Sequence, residues 1–187
     1  MLAKQVKEDA LREYVDLLVQ WNQRVNLVSP KSIPYIWDRH IADCVQLAEY
    51  LPKDKTIYDI GSGAGLPGMV LSILGFTIEM VESDQRKSVF LEEASRVSGV
   101  KPLVHNIRVE NFKAALGGII TARAFAPLAE LFKLTKHLRG DYVLLKGENA
   151  MAEISEAKKS WKFEHELHPS RTGSGFILII KGLQEVL

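Results

Sequence analysis

The stretch Tyr58-Asp59-Ile60-Gly61-Ser62-Gly63-Ala64-Gly65-Leu66-Pro67-Gly68 constrains this chain more than any other part of it. A short apolar run over residues 56–60 leads into it and a helical segment follows, so the glycines stand where a strand turns into a helix. Glycines at such a turn allow a tight backbone path and let amide N–H groups approach a ligand, while the helix N-terminus beyond favours polar or anionic groups. The rest of the chain repeats the theme. Residues 77–81 form a second apolar run, followed by a helix over 86–98; residues 103–105, 119–121 and 142–145 are further strand candidates, with helical residues 128–138 before the last. This alternation predicts a parallel sheet. After a helix at 151–159, two strand segments, 162–167 and 175–181, follow each other with no helix between them, which predicts an antiparallel hairpin.

The first fifty residues read differently. Val6, Ala10, Tyr14, Leu17, Leu18 and Trp21 recur at spacings of three and four, predicting an amphipathic helix over 3–21 that stops near Asn22. Ser32 is a candidate N-cap with Pro34 in the first turn, and Trp37, Ile41, Cys44, Val45 and Ala48 mark a second helix ended by Pro52. We therefore expect a helical cap over 1–52 and an α/β domain over 53–187, joined in one compact unit, since 187 residues is about one domain's length.

Charge and cysteine content narrow the function. With 24 Lys plus Arg against 23 Asp plus Glu the net charge is +1, so any nucleic-acid contact has to be a local basic patch. The single cysteine, Cys44, excludes an internal disulfide and a cysteine-based zinc cluster, and is read as a buried structural thiol. No apolar run approaches the ~18 residues of a membrane span, and acids occupy the N-terminal stretch where a signal peptide has its apolar region. A cytoplasmic, membrane-free and metal-free protein is expected.

Two cofactors compete for the glycine loop, because Gly63-Ala64-Gly65-Leu66-Pro67-Gly68 also satisfies the Gly-x-Gly-x-x-Gly dinucleotide fingerprint. Asp59 tips the balance. It ends the strand two residues before Gly61, where a carboxylate can hold an ammonium group but repels a pyrophosphate. The run Asp-x-Gly-x-Gly-x-Gly resembles motif I of S-adenosylmethionine-dependent methyltransferases. Glu82, at the end of the next strand, can accept hydrogen bonds from both hydroxyls of a ribose, which either cofactor has. No Lys-Ser/Thr pair follows the glycines, so a nucleoside-triphosphate P-loop is excluded.

Beyond this loop the resemblance lengthens. Trp21-Asn22, Asn26-Leu27, Arg39-His40-Ile41-Ala42-Asp43, Asp59 to Gly68, Arg108-Val109-Glu110, Arg123-Ala124-Phe125 and Lys146-Gly147 resemble, in order, the bacterial small-subunit rRNA guanine-N7 methyltransferases, also called the glucose-inhibited division protein B family. Cys44 and Ala122 depart from the family, which usually has serine at both places. The resemblance implies a class I methyltransferase fold, Rossmann-like, with a mostly parallel seven-stranded sheet, an antiparallel C-terminal hairpin and an N-terminal helical cap. It implies S-adenosylmethionine as cofactor and 16S rRNA or the small subunit as partner. Separately from the resemblance, a monomer is expected. The cofactor-binding residues the resemblance implies are Gly61, Gly63, Leu66, Glu82, Val109, Glu110 and Arg123, with Val109-Glu110 at the adenine and Arg123 a cofactor contact.

Guanine N7 carries an in-plane lone pair and no proton at neutral pH, so positioning can suffice and no general base is required. No Cys/His or Ser/His constellation presents itself. The positioning candidates are Arg39, His40 and Lys146; strand ends face the crevice of a parallel sheet, so Lys146 is expected to meet an anion. Several readings stay open. Arg123 can be a planar clamp or a surface ion-pair partner, Phe125 a base-stacking ring or a core residue, and Leu66 a cofactor contact or a helix-start core residue. Arg24, Lys31 and Arg39 can form a phosphate-facing patch on the cap or a solvated face. A methyltransferase acting on a small molecule or a protein, or a non-catalytic nucleotide-binding module, are the alternatives.

Overall fold

A computed structural model describes residues 2–173 and 175–186. Helix α1 (Leu2–Asn22) opens the chain, and the Asn22 side chain closes it by accepting from the Leu27 and Val28 amides, both at 2.9 Å. The sheet consists of β1 (Ile57–Ile60), β2 (Ile78–Glu82), β3 (Leu103–Asn106), β4 (Ile119–Thr121), β5 (Asp141–Lys146), β6 (Trp161–Pro169) and β7 (Phe176–Glu185). Their order is β3-β2-β1-β4-β5-β7-β6, the first five parallel and β7 antiparallel to both of its neighbours. The expected class I methyltransferase architecture is therefore present, hairpin included.

Both faces of the sheet are covered, as a parallel sheet requires. Ile57, Ile78, Met80, Ile119 and Val143 pack on one face against α1, the cap, α3 (Gly68–Ile73) and α4 (Gln85–Val97). Tyr58, Ile60, Ile120, Tyr142 and Leu144 face the other way, towards α5 (Leu128–Thr135) and α6 (Ala150–Ala157). The cap shares the first of these clusters: Tyr14, Leu18, Ile36, Ile41, Cys44 and Leu47 lie in it with the strand residues.

The second cap helix departs from expectation. Instead of one helix, the chain runs through a 3-10 segment (Pro30–Tyr35), a π segment (Trp37–Ile41), the short α2 (Ala42–Val45) and a second 3-10 segment (Gln46–Glu49). Ser29, not Ser32, precedes the first turn, and Ser32 sits inside it with its hydroxyl donating to Ser29 O at 2.7 Å. Pro34 supplies no N–H to an α-helical ladder, and further along the Arg39 carbonyl is engaged from outside the segment by Arg123 Nη2 at 2.9 Å. Trp37, expected inside, is 43% exposed.

One buried bond ties cap to loop: Tyr14, on α1, donates its hydroxyl to Ala64 O in the glycine loop at 2.7 Å. Replacing Tyr14 with Phe leaves that carbonyl unpaired in the interior, so we expect Tyr14→Phe to cost about 1–3 kcal/mol in urea-unfolding free energy. An unchanged midpoint and slope would mean that water replaces the hydroxyl freely.

Candidate cofactor and substrate site

The glycine loop leaves β1 and is stitched to β2 at once, the amides of Gly61 and Ser62 both donating to Val81 O, at 2.9 and 3.2 Å. Gly61 has φ +66°, and a Cβ there would stand 2.1 Å from Cδ2 of Phe125, so the Phe125 ring lies directly on this glycine. Gly63 has φ +53°, and a Cβ there would meet only Gly61 O, at 3.7 Å. Between them the two glycines make one closed and one open stretch of backbone. A ligand can reach the main chain at Gly63.

Glu82 stands beside that opening, 7% exposed. Its Oε2 accepts from the Gly63 amide at 2.8 Å and its Oε1 from the Asp84 amide at 2.7 Å. Each carboxylate oxygen has two lone pairs, so one per oxygen remains for a hydroxyl donor, and the amides hold the carboxylate still. The loop after β3 is anchored to the same residue: Asn106 Nδ2 and the Ile107 amide donate to Glu82 O at 3.0 and 3.1 Å. Next comes one 3-10 turn, Val109–Asn111, with Val109 buried and Glu110 exposed. The first amides of such a turn have no partner within it and are free for the edge of a base. Leu66 is only 6% exposed and packs into the cap-side core.

Asp59 lies where β1 ends but does not face the opening, contrary to the role expected for it. Strand alternation puts it on the cap side with Ile57, under the start of α3, where it is fully buried and its Oδ2 accepts from the Gly68 amide at 3.1 Å. Among the described residues its Oδ1 has no partner. Burial pushes its pKa up to about 7, and the charge of Glu82 adds to the rise. Asp59 therefore braces the loop from beneath.

Arg123 follows β4 and reaches across to the cap. Besides its bond to Arg39 O it faces Asp43 Oδ2 at 3.6 Å, and its side chain is 19% exposed. Asp43 Oδ1 in turn accepts from Gln46 Nε2 at 2.8 Å, Thr172 Oγ1 at 3.0 Å and Ser170 Oγ at 3.1 Å. The turn after β6 is thereby fastened to the cap beside Arg123. Sequence reasoning missed this turn, for which no local signal exists; Asp43 stood in the quoted motif without a role. Ala124 has φ +49°, a left-handed residue between Arg123 and the Phe125 ring on Gly61.

His40 lies on the π segment. Because the Ser32 hydroxyl donates to Ser29 O, the contact of His40 Nε2 with Ser32 Oγ at 2.8 Å has the imidazole as donor. Its Nδ1 then carries a lone pair and, among the described residues, has no partner. Burial, with Arg123 and Arg39 adding to it, lowers its pKa to about 4, so the ring is neutral at pH 7. Lys146, expected to meet an anion, is occupied internally: Nζ pairs with Glu153 Oε2 at 2.6 Å and donates to Ala126 O at 3.3 Å, with the side chain 9% exposed. Glu153 also accepts from the Leu128 amide at 2.9 Å, so this pair anchors the segment that follows Phe125.

The two loop glycines make separable demands. Gly61→Ala has to displace the Phe125 ring as well as bear left-handed backbone strain, and should cost about 2–4 kcal/mol in denaturant unfolding. Gly63→Ala meets only the strain and should cost about 1–2 kcal/mol. Equal losses would show that the ring yields freely.

Among the described residues no group of three or more His, Cys, Asp or Glu is placed to hold a metal, and no helix is long and apolar enough to cross a membrane. Comparison with known proteins completes the picture. An O-methyltransferase from Bacillus cereus solved in complex with SAH superimposes with a TM-score of 0.58 at 15% identity, covering 89% of this chain and 90% of that one. A ribosomal protein L11 methylase from Lactobacillus delbrueckii subsp. bulgaricus gives 0.57 at 16% identity, covering 75% and 76%. These likenesses show the fold. In sequence, ribosomal RNA small subunit methyltransferase G of Gluconobacter oxydans is 45% identical over 175 residues, 91% of each chain, and that of Rickettsia prowazekii 41% over 184 residues, 96% of each. A family model described as rRNA small subunit methyltransferase G matches residues 7–181, and the chain belongs to that family.

Proposed function

We propose that this chain transfers a methyl group from S-adenosylmethionine to N7 of a guanine in 16S ribosomal RNA. The observation that carries the cofactor reading is Glu82, a near-buried carboxylate fixed by two amides with an acceptor left on each oxygen, beside the open main chain of Gly63. That is a receptor for two neighbouring ribose hydroxyls. When bound, the cofactor supplies an electrophilic methyl group on a sulfonium.

The chain's own residues divide the remaining work. Gly63 presents main chain, Gly61 is covered by the Phe125 ring and shapes the loop rather than touching the cofactor, the Val109 and Glu110 amides read the adenine edge, and Leu66 supports the loop from the core. Arg123 has donors beyond the one given to Arg39 O, which suit the cofactor's carboxylate. Arg39 and His40 border the acceptor base, and Lys146 positions it indirectly through the segment after Phe125.

The choice of N7 follows from what these groups can do with protons. A His40 held neutral down to about pH 4 is a weak base, and Asp59 is turned inward. The Cys44 thiol is fully buried and pushed up to about 12, which disfavours nucleophilic attack on a pyrimidine ring. Where exocyclic-amine methyltransferases carry an Asp/Asn-Pro-Pro-aromatic segment, this chain has Ala122-Arg123-Ala124-Phe125. An acceptor with its own lone pair and no proton to lose fits this set. The reading implies a cytoplasmic enzyme acting as a monomer on the small subunit or its RNA.

The test is methyl transfer from labelled S-adenosylmethionine to small ribosomal subunits and to naked 16S rRNA, with nucleoside mass spectrometry of the product. We expect 7-methylguanosine; label in a different nucleoside, or in neither RNA, refutes the proposal. In the same preparation Glu82→Ala should weaken S-adenosylhomocysteine binding by about 1.5–3 kcal/mol, and Glu82→Gln by less because one acceptor remains. Equal affinity of wild type and Glu82→Ala would put the ribose elsewhere.

A further inference from the structure

The cap segment that meets Arg123 exposes two large aromatic side chains. Tyr35 is 57% and Trp37 43% exposed, whereas the other two tryptophans are less open, Trp161 at 5% and Trp21 half-buried. Single apolar residues on a surface need no explanation, but these two stand two residues apart on a path whose inward side chains, Ser32, Ile36 and Ile41, are buried. Lys31 and Arg39, both exposed, flank them, with Asp38 the one acid among the exposed residues of the stretch. The segment is fastened at the site itself, since the Arg39 carbonyl is the acceptor for Arg123 at the end of β4.

Exposed rings beside cations, on a segment fastened through Arg39 to a site that has to take a base, can serve as a stacking platform. Indole and phenol faces hold unpaired bases whatever their identity, and the cations meet the phosphates between them. A net charge of only +1 gives the molecule no general field for RNA, so retention has to come from such a local surface. We infer that Tyr35 and Trp37, flanked by Lys31 and Arg39, form the docking face for unpaired nucleotides of the RNA substrate, stacking on bases next to the one presented to the crevice. The inference rests on the rRNA reading above. It assigns Trp37 to RNA rather than to the core, and explains why a tryptophan interrupts the solvent-facing side of the cap.

Binding and catalysis are measured separately to test it, with 16S rRNA and small subunits as probes and S-adenosylhomocysteine affinity as the control. Trp37→Ala should lower RNA affinity about 5- to 150-fold, the range for one lost stacking partner, while cofactor affinity stays within twofold of wild type. Trp37→Phe should recover most of the loss, because a smaller ring still stacks. RNA should quench the indole emission of the wild type, and this quenching should vanish in Trp37→Phe. The logarithmic salt slope should be unchanged by Trp37→Ala and fall by about one with Lys31→Ala. Wild-type RNA affinity in Trp37→Ala overturns the docking face and leaves the methyltransferase reading intact. A protein that binds RNA through Trp37 but forms no 7-methylguanosine overturns the enzymatic reading alone. A dimer that Trp37→Ala converts to monomer in sedimentation gives the face to a second copy of the chain, and also overturns the inference.

Discussion

Two amides from different loops converge on the Glu82 carboxylate, and much of the site hangs on that convergence. Gly63 belongs to the loop after β1 and Asp84 to the loop after β2, so a single side chain sets the spacing between two neighbouring crossovers. Its backbone carbonyl does the same for a third, taking Asn106 and Ile107 from the loop after β3. A carboxylate this buried needs strong donors, and amides in loops need acceptors once water is gone. Each side satisfies the other. The result is a rim at the ends of three parallel strands that the chain's own hydrogen bonds hold together.

On the other flank, charges hold structure together that local reading would have sent to a ligand. Lys146 and Glu153 hold the segment after Phe125, and Arg123 holds the cap. A lysine or arginine with so little of its side chain in water is costly unless paired, and at a strand end the nearest partners are the neighbouring loops. Removing one member of such a pair leaves the other charge buried and alone. Mutational losses at Lys146 therefore report on loop position as much as on chemistry.

Much of this was legible in the sequence. The glycine loop, the alternation of strands and helices and the unbroken pair of C-terminal strands each have a local signature, and the place of Glu82 at the end of β2 could be read from its apolar run. What escaped depends on partners far along the chain. Asp59 reads as open to a ligand, whereas its carboxylate is buried against the Gly68 amide at the start of α3. The pitch changes in the cap reflect Pro34 together with an arginine 84 residues beyond Arg39. The turn at Ser170 and Thr172 bonds to Asp43 across more than 120 residues, which no window of sequence can reveal.

The order of the strands has a bearing on how the molecule is made. β7 is the last strand of the sheet along the chain, yet it lies inside it, between β5 and β6, pairing antiparallel with both. During synthesis the flank of β5 stays bare after every helix has emerged, and β6 has no neighbour to join until β7 arrives. The nascent protein thus carries an open, apolar sheet edge, the kind of surface that chaperones shield and that pairs with other chains. Closing the sheet also brings the turn at Ser170 down onto the cap. The wall beside Arg123 is consequently completed only once β7 is in place, and a chain stopped before β7 has no complete crevice.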